Sequence, residues 1–481
     1  MNLAALIDAH PDEATALVFR ADTVTYGQLR RRVAEARGAL NALGVGPGDR
    51  VALVAGNEPG FVVAYLAVLG LGAVAVPLNP ASPAPELERE LAAVEPEQVL
   101  AGQGCEGVVP NARPIAGLTG APVPAVDPGP DDLAVLMFTA GTGAEPKAAM
   151  LTHGSLLANL DQIQRHPGRT VTATDITLGV LPLFHIFGLN VVLGLSFLAG
   201  GSVVLIEQFH GADTLAAIAE HGITLVAGPP TMFAALAAVP TADRSAMASV
   251  RLAVSGAAPL SAEIAAAFER CFALPLREGY GLTEASPVVT SSVMGEAPHP
   301  GSVGVPLPGV EMRLVDEEGE DALLGDSGEV WVRGPNVFAG YWQDADATAA
   351  ALTPDGWLRT GDIGVAGDDG QLYLVDRSKD LIIVSGFNVY PNEVEEVLLA
   401  HPAVAETAVV GVAHPYTGET VHAYVVLAKG DTASVSEAEL IEHCARRLAR
   451  YKCPTEIIFV PSLPRGLTGK LLRRALRDDP I

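Results

Sequence analysis

The sequence predicts an α/β protein: a large N-terminal domain of layered β-sheets and helices, an antiparallel β unit, and a small C-terminal α+β domain. Three observations support this class. The chain has 481 residues, too many for one ordinary hydrophobic core. Up to about residue 375, short apolar runs alternate with helical segments, which is typical of parallel sheets covered on both faces. From about Gly295, strands with alternating polarity and Gly-rich turns begin to replace this pattern.

The spacing of apolar residues predicts the elements of the large domain. Continuous apolar runs predict buried strands at 51–54, 133–138, 203–206, 225–227 and 252–254. Helices are predicted at 214–220 and 261–270. The antiparallel unit is predicted to include strands at 310–315 and 328–333. Segments rich in Pro and Gly predict loops or subdomain joints at 122–130 and 297–308.

An uncharged run at 61–78 approaches the length of a membrane-spanning helix. It contains Gly70, Gly72 and Pro77, and no Lys or Arg flanks it closely, which disfavours a span. We therefore predict a buried helix, a glycine turn and then a buried strand.

The last hundred residues predict a separate small domain. Pro391 suits the first turn of a helix that runs through Leu399. Ser436 and Glu439 form a capping box for a second helix, which ends before Pro454. We place the boundary so that residues 1–378 form the large domain and residues 379–481 the small one.

Composition narrows the class of protein. Apolar residues make up 49% of the chain and charged residues 18%, which disfavours disorder. The net charge of −26 argues against nucleic acid as a partner, because phosphate backbones attract Lys and Arg. Four scattered cysteines without a C-x-x-C pair favour reduced thiols in a cytoplasmic protein. The N-terminal segment lacks the basic region of a secretory signal.

A Gly/Thr-rich loop, FTAGTGAEPKA at 138–148, follows a predicted buried strand. Small residues let backbone N–H groups approach phosphate oxygens, and the hydroxyls add donors. Lys147 can place a positive charge on the same phosphates. The loop is not a Walker motif, because it lacks G-x-x-x-x-G-K-[ST]. An ordinary turn is the structural alternative.

Three further motifs combine residues suited to a nucleotide. In residues 279–284, Tyr280 offers a flat face for a purine and Glu284 a carboxylate for Mg²⁺. Asp362, at a predicted strand-to-loop transition, can bond both hydroxyls of a ribose. Charged residues at 376–380 indicate a hinge between domains. Ordinary tight turns and a solvated linker are the alternatives.

The order and spacing of these motifs resemble the acyl-adenylate-forming (AMP-binding) enzymes, which include acyl-CoA synthetases, peptide-synthetase adenylation domains and firefly luciferase. GLGAVAVPL at 70–78 and PLFH at 182–185 add to the resemblance, which covers nearly the whole chain and is greatest for fatty acyl-CoA ligases. It implies a β-barrel-like subdomain and a mobile C-terminal domain. It also implies ATP and Mg²⁺ as cofactors, CoA as co-substrate, and a small-molecule carboxylic acid as substrate.

The resemblance assigns a role to each matching residue. The phosphate loop would comprise Thr139, Ala140, Gly141, Thr142 and Lys147. The adenine site would comprise Gly256, Ala257, Ala258, Glu278, Gly279, Tyr280 and Gly281. Thr283 would contact the α-phosphate, Glu284 would hold Mg²⁺, and His185 would gate the carboxylate pocket. Asp362 and Arg377 would bind the ribose, Lys379 would mark the hinge, and Gly386 would lie on the thiol tunnel.

The implied reaction has two steps. A carboxylate attacks the α-phosphate of ATP and releases pyrophosphate; the small domain then rotates, and a thiol displaces AMP from the acyl-adenylate. Lys470 matches the adenylation lysine of the family. A cation between carboxylate and triphosphate stabilises the transition state more than either ground state. The basic tail, with nine Lys or Arg and four acids at 441–481, would suit polyphosphate or the 3′-phosphate of CoA; a solvated helix face is the alternative.

Against the family pattern T-S-G-T-T-G-x-P-K-G, the phosphate loop loses a serine hydroxyl at Ala140 and has alanine in place of two usual glycines, at Ala144 and Ala148. If the glycine replaced by Ala144 requires a positive φ, the alanine adds about 1 kcal/mol of strain, unless Gly143 absorbs the turn. We expect an altered grip on pyrophosphate, and therefore a changed rate rather than a different reaction.

Segments 386–395 and 229–233 look most like those of fatty acyl-CoA ligases, so we expect a fatty or other hydrophobic monocarboxylate. An aryl acid such as a cinnamate stays open. The rival functions are loading of an acyl carrier protein, an enzyme that stops at the adenylate, and a non-catalytic nucleotide-binding homologue. No nucleic acid or membrane span is expected, and a homodimer is left open.

Overall fold

The structure of the protein is a computed structural model. It describes every residue except 1, 140–145, 169, 293–297, 317, 378–381, 385–386, 390, 415–417, 429–434, 449, 466–470, 472 and 479–481.

The strands, in chain order, are β1 Thr15–Phe19, β2 Asp22–Thr25, β3 Arg50–Val54, β4 Val74–Leu78, β5 Gln98–Ala101, β6 Arg113–Pro114, β7 Leu133–Thr139, β8 Lys147–Thr152, β9 Ile176–Gly179, β10 Ser202–Leu205, β11 Leu225–Gly228, β12 Leu252–Ser255, β13 Leu276–Gly281, β14 Val288–Ser291, β15 Ser302–Pro306, β16 Glu311–Val315, β17 Ser327–Arg333, β18 Leu358–Ala366, β19 Leu372–Arg377, β20 Ile382–Val384, β21 Phe387–Val389, β22 Val404–His414, β23 Gly418–Leu427 and β24 Glu456–Phe459.

The α-helices are α1 Tyr26–Ala42, α2 Pro59–Gly70, α3 Ala84–Val94, α4 His153–Arg165, α5 Leu195–Ala199, α6 Gly211–His221, α7 Pro230–Ala237, α8 Ala262–Phe272, α9 Ala345–Ala351, α10 Pro391–Leu399, α11 Glu437–Ala445 and α12 Arg473–Asp478. A π-helix covers Phe187–Gly194, and a short 3₁₀ turn covers Thr283–Ala285.

The chain divides into two compact units. The first comprises Met1–Met312 and Val332–Arg359, and the second comprises Arg313–Trp331 and Thr360–Ile481. This division follows Arg359, ahead of the predicted boundary after residue 378, which stays a prediction.

The first unit contains a six-stranded sheet in the order β6-β5-β3-β4-β7-β8. Its strands are parallel except β8, which pairs antiparallel with β7. The uncharged run at 61–78 forms most of α2, a turn at Gly72 and then β4. Gly72 has φ +68°, which favours glycine at the turn. The predicted helix, turn and strand are therefore confirmed, and no described helix has the length and hydropathy to cross a membrane.

A second sheet of the first unit has the order β15-β14-β13-β12-β11-β9-β10-β1-β2. Strands β13, β12, β11, β9, β10 and β1 are parallel to one another, whereas β13 pairs antiparallel with β14, β14 with β15, and β1 with β2. Helices α6, α7 and α8 pack on this sheet through an apolar cluster that includes Phe233, Phe268 and Leu236. The strands predicted at 203–206, 225–227 and 252–254 are confirmed as β10, β11 and β12.

The loop predicted at 297–308 is wrong in part, because β15 occupies Ser302–Pro306. Gly304 has φ +94°, and a Cβ there would lie 2.0 Å from the carbonyl carbon of Ser291 on β14. The glycine therefore lets two strands approach closely and does not mark a loop.

The second unit includes the antiparallel pair β18 and β19, together with a sheet in the order β21-β20-β23-β22, with β24 parallel to β23. Helices α10 and α11 cover this sheet through an apolar cluster that contains Val394, Leu398 and Leu440. The predicted helix at Pro391–Leu399 and the capping box of Ser436 and Glu439 are both confirmed.

Candidate active site

Three neighbouring parallel strands end at one edge of the second sheet. The register places Gly228 of β11 opposite Ser255 of β12, and Ser255 opposite Glu278 of β13. The Gly256 N–H donates to the Gly228 carbonyl at 3.1 Å, one residue beyond the last strand pair. Ligands of open α/β sheets bind at the carboxyl ends of the strands. The predicted adenine-binding residues therefore lie at the edge where a ligand is expected.

The turn after β12 has an unusual backbone. Ala257 has φ +68°, in the left-handed region, which costs an L-residue about 1–2 kcal/mol. Ala257 and Ala258 are exposed. A Cβ on Gly256 would lie 3.3 Å from Cε1 of Phe187, so this ring packs on the turn. Small exposed residues beside an aromatic ring suit a flat base, as the predicted role requires.

Glu278, near the end of β13, is a buried carboxyl group. Its Oε1 accepts a hydrogen bond from the Leu260 N–H at 3.1 Å. Burial raises the pKa of Glu278 to about 7, because the charged form loses its hydration. Two residues further on, Tyr280 is also buried. At Gly281 a Cβ would lie 2.1 Å from the Pro287 carbonyl oxygen, so only glycine fits this position.

The predicted catalytic residues Thr283 and Glu284 lie in the 3₁₀ turn that follows β13, and both are half-buried. The Glu284 carbonyl accepts from the Phe338 N–H at 2.8 Å. The next two carbonyls accept from side-chain amides: Ala285 from Asn336 at 2.9 Å, and Ser286 from Asn190 at 2.7 Å. The backbone of the turn is therefore fixed by donors from other parts of the chain.

Four buried amide side chains surround this turn, and we call them the amide cluster: Asn159, Gln162, Asn190 and Asn336. Asn159 bonds both the carbonyl (2.8 Å) and the N–H (3.1 Å) of Val288, just after the turn. Its Nδ2 also donates to Gln162 Oε1 at 3.2 Å, and Gln162 Nε2 donates to Asn336 Oδ1 at 3.2 Å. Sequence reasoning missed this cluster. The available signal was the presence of two amides on α4 at positions three apart.

A second group joins two charged residues through an aromatic side chain, and we call it the Lys147–Tyr341–Glu284 cluster. The Tyr341 hydroxyl donates to Glu284 Oε1 at 2.7 Å. The ammonium nitrogen of Lys147 lies 5.4 Å from the centre of the Tyr341 ring, within the range of a cation–π interaction. Burial, followed by the nearby Glu284 carboxylate, raises the pKa of Tyr341 well above its usual range. The phenol therefore stays protonated and donates.

The segment 338–342, which contains Tyr341, pairs with β8, and this pairing fixes the position of the tyrosine. The Trp342 N–H donates to the Ala148 carbonyl, and the Met150 N–H donates to the Gly340 carbonyl. The Tyr341 N–H donates to Thr348 Oγ1 at 2.9 Å. Sequence reasoning missed Tyr341, because its partner Glu284 lies 57 positions away in the chain.

The residues around Glu284 fit a magnesium ion that is bound largely through phosphates. Within the described part of the chain, no three His, Cys or acidic side chains converge as a metal site. Mg²⁺ in nucleotide-dependent enzymes needs only one or two carboxylates, because phosphates and water complete its shell. Glu284 uses Oε1 to accept from Tyr341, and no described donor bonds its Oε2.

The phosphate loop is described at its two ends only. Thr139 pairs with Lys147 across β7 and β8, and the Thr139 hydroxyl donates to the Lys147 carbonyl at 3.4 Å. Ala140, Gly141 and Thr142 lie outside the described residues, as does Ala144. Ala148, where the family pattern has glycine, is a buried residue of β8 opposite Phe138. Its place in a regular strand explains why alanine is tolerated.

His185 lies just before the π-helix, and its imidazole is half-buried. The Phe187 N–H donates to His185 Nδ1 at 3.2 Å. Phe187 in turn packs on the turn at Gly256. The predicted gate of the carboxylate pocket and the predicted adenine turn are therefore joined through one aromatic residue.

Asp362 and Arg377 belong to the second unit, and they lie opposite each other on β18 and β19. The prediction that Asp362 marks a strand-to-loop transition is wrong, because β18 continues to Ala366. A local bend replaces the strand end. Gly361 has φ +72°, and its N–H donates to Glu329 Oε1 at 2.9 Å. Asp362 is buried beside this bend.

The remaining predicted residues, Lys379, Gly386 and Lys470, lie outside the described residues. Among the described cations of the basic tail, several form ion pairs within the second unit. The pairs are Arg446 with Glu442 (2.5 Å), Lys452 with Glu393 (2.7 Å), Arg465 with Glu406 (2.6 Å) and Arg473 with Glu395 (2.7 Å). Part of the local positive charge is therefore balanced inside the unit, which weakens the polyphosphate interpretation of the tail.

Comparison with known families settles the class of this fold. The profile of the AMP-binding enzymes matches residues 4–342, and that of the AMP-binding enzyme C-terminal domain matches residues 393–470. The chain belongs to the AMP-binding enzyme family. The predicted domain boundary after residue 378 lies in the interval between the two family matches.

The relatives of this chain are named for different carboxylic acids. A long-chain-fatty-acid–CoA ligase of Bacillus subtilis (strain 168) is 33% identical over 523 residues, which cover 98% of this chain and 92% of the relative. A feruloyl-CoA synthase of Amycolatopsis is 38% identical over 475 residues, covering 96% and 95%. Such relatives support the predicted class of AMP-forming acyl-CoA ligase without selecting one acid.

Solved structures of the family resemble this chain over its whole length. ATP-bound MatB of Rhodopseudomonas palustris has a TM-score of 0.92 and 33% identity, covering 99% of both chains. The O-succinylbenzoate CoA synthetase of Bacillus subtilis, in complex with ATP and magnesium ion, has a TM-score of 0.88 and 32% identity, also covering 99% of both. The predicted fold class is thereby confirmed.

Proposed function

We propose that this protein activates a hydrophobic monocarboxylic acid with ATP and transfers the acyl group to CoA, with a fatty acid preferred over an aryl acid. The observation that supports it most directly is the Lys147–Tyr341–Glu284 cluster. It joins a cation from the phosphate loop to a half-buried carboxylate in the turn after β13. This charge pair suits a polyphosphate nucleotide, whose negative charge needs both a lysine and a carboxylate-bound metal.

The proposed first step forms a bond between a carboxylate oxygen of the acid and the α-phosphorus of ATP. The bond from that phosphorus to the α–β bridging oxygen breaks, and pyrophosphate leaves. Lys147 stabilises the phosphate charge, and Thr283 contacts the α-phosphate. Magnesium, held by Glu284 and the phosphates, would supply further positive charge. In the second step the CoA thiol loses its proton to water and its sulfur attacks the acyl carbon; the bond from that carbon to the phosphate oxygen breaks, and AMP leaves.

The roles that we propose for residues of the second unit rest on the family resemblance. Asp362 and Arg377 bind the ribose, and Lys470 stabilises the first transition state. Lys379 acts as the hinge and Gly386 borders the path of the thiol. These roles imply that Lys470→Ala abolishes adenylation while it largely spares thioester formation from supplied acyl-adenylate. Equal loss of both half-reactions would contradict this role for Lys470.

The preference for a fatty acid rests on sequence segments and on relatives. Segment 229–233 resembles the acyl-pocket wall of fatty acyl-CoA ligases, and it forms the start of α7, next to the end of β11. Met232 and Phe233 are buried there, and a Cβ on Gly228 would lie 2.1 Å from the Met232 methyl carbon. An apolar surrounding of this kind suits an alkyl chain. The feruloyl-CoA relative makes an aryl acid the competing result.

A panel of acids tests the proposal through acid-dependent exchange of pyrophosphate into ATP. It should contain alkyl acids of several lengths, cinnamates and dicarboxylates, each with and without CoA. We expect exchange with alkyl acids and an acyl-CoA product when CoA is added. Lys147→Met serves as the inactive control, because it keeps length and removes charge.

Other outcomes would overturn parts of the proposal. Exchange restricted to cinnamates would overturn the fatty preference. Exchange without thioester on CoA, but with thioester on phosphopantetheinylated carrier protein, would identify a carrier-protein ligase. No exchange with any acid, in a protein that still binds ATP, would identify a non-catalytic homologue and overturn the proposed activity.

A further inference from the structure

Tyr341 is an aromatic residue outside every motif that the sequence analysis selected, yet it contacts two residues of the proposed site. Its hydroxyl donates to Glu284 Oε1 at 2.7 Å, and its ring lies 5.4 Å from the Lys147 ammonium. We propose that Tyr341 is a positioning residue that sets the orientation of both charged groups at once. This inference rests on the proposed function, because it concerns the same nucleotide site.

The hydroxyl has one chemical task in this arrangement. By donating to Oε1 it occupies one oxygen of Glu284 and leaves Oε2, which no described donor bonds, to face a ligand. A hydrogen bond to a charged group is worth more than one between neutral groups. Its loss lets the carboxylate rotate.

The ring has a separate task. Its face attracts the Lys147 ammonium, and the ring packs against Phe338 in an edge-to-face arrangement, with a centroid distance of 5.0 Å and an interplanar angle of 76°. Phe338 and the pairing of residues 338–342 with β8 hold the ring in one position. The long lysine side chain is thus held in place before a nucleotide arrives, which lowers the entropy cost of binding.

Two substitutions separate these tasks. Tyr341→Phe keeps the ring and removes the hydroxyl, whereas Tyr341→Leu removes both. The matched control is Tyr26→Phe, because the Tyr26 hydroxyl also makes a 2.7 Å hydrogen bond, to the Gly201 carbonyl, in the first unit. The first measurement is the binding of Mn²⁺ in the presence of ATP. It is monitored by electron paramagnetic resonance, without the acid substrate and therefore without turnover.

We expect Tyr341→Phe to weaken Mn²⁺ binding about tenfold, as the loss of a hydrogen bond to a charged group implies. Binding of ATP without metal should stay within about twofold of the wild type, because the ring still holds Lys147. Tyr341→Leu should weaken metal-free ATP binding by a further two- to fivefold, about the worth of an exposed cation–π contact. Tyr26→Phe should change neither. Wild-type Mn²⁺ affinity in Tyr341→Phe, or an equal loss in Tyr26→Phe, would overturn the inference.

A second experiment uses Glu284→Asp, whose shorter side chain cannot reach the Tyr341 hydroxyl. Adding Tyr341→Phe to this background should weaken Mn²⁺ binding no further, because the hydrogen bond is already lost. Additive losses would overturn the positioning role. The proposed function fails separately: a wild type that binds Mn²⁺ and ATP but exchanges no pyrophosphate with any acid refutes the activity, and leaves this test interpretable.

Discussion

Two buried regions of the first unit are built in opposite ways. The apolar cluster between the second sheet and helices α6–α8 is held by side chains such as Phe233 and Phe268, whose rings meet edge to face at 5.1 Å. The amide cluster is equally buried, but its members bond to each other and to the backbone after Glu284. One region is packed without directional contacts, whereas the other is a set of directional bonds.

The difference teaches where stability and geometry come from in this molecule. Burial of apolar surface is strongly favourable but non-directional, so it does not fix the position of one carbonyl. A buried amide costs free energy unless its donors and acceptors are paired, so its presence selects one arrangement. We therefore expect substitutions in the apolar cluster to lower stability and those in the amide cluster to lower activity beyond their effect on stability.

The largest expected loss of stability comes from Phe268→Ala. Phe268, on α8, is fully buried, and removal of its ring should lower the free energy of unfolding by about 3–5 kcal/mol. Pyrophosphate exchange per folded molecule should be unchanged, because the turn at Glu284 keeps its bonds. Urea unfolding and exchange assays on the same samples check this, with Arg270→Ala, an exposed change on α8, as control. A normal stability for Phe268→Ala would contradict the assigned role of the apolar cluster.

Glu278→Gln tests how the buried carboxyl group of Glu278 makes the stability of the protein depend on pH. Because the folded pKa is about 7 and the unfolded value about 4.5, the folded state holds the proton more tightly. As pH rises from about 4.5 to about 7, the free energy of unfolding of the wild type should fall by about 3 kcal/mol relative to that of the variant. It should fall no further at higher pH. Urea unfolding at several pH values measures the difference. Exposed Glu269→Gln is the control, and a pH-independent difference for Glu278→Gln would exclude the buried carboxyl as its cause.

Sequence patterns predicted the strands and the nucleotide motifs because both are local properties. The apolar runs at β10, β11 and β12 and the residues 278–284 are contiguous in the chain. Sequence patterns missed the amide cluster because the polar residues Asn159 and Gln162 on α4 resemble a solvated face until their partners elsewhere in the chain are known. Tyr341 was missed for the same reason, since only pairing of residues 338–342 with β8 brings it to Glu284.

Asn190→Leu should separate geometry from stability. It removes the donors to the Ser286 and Leu156 carbonyls, and buried carbonyls without partners cost about 1–3 kcal/mol. Pyrophosphate exchange per folded molecule should fall about tenfold or more, because the turn loses a bond two residues after Glu284. Asn2→Leu is the matched control, since Asn2 is a buried amide that bonds the Leu69 and Val126 carbonyls. A similar fall in exchange for Asn2→Leu would show a general effect of destabilisation.

The smallest effect is expected for Gln162→Met, and it decides how far the amide cluster acts as a unit. Among the described residues, Gln162 bonds only the amides of Asn159 and Asn336, and these keep their own bonds to the backbone. Methionine conserves the volume, so stability should fall by about 1 kcal/mol, the worth of a typical hydrogen bond. Exchange should stay within about twofold of the wild type, because the turn itself loses no donor. If instead exchange falls as far as in Asn190→Leu at equal stability, then the orientation of the amides is set through Gln162, and the cluster works as one network rather than as separate contacts to the turn.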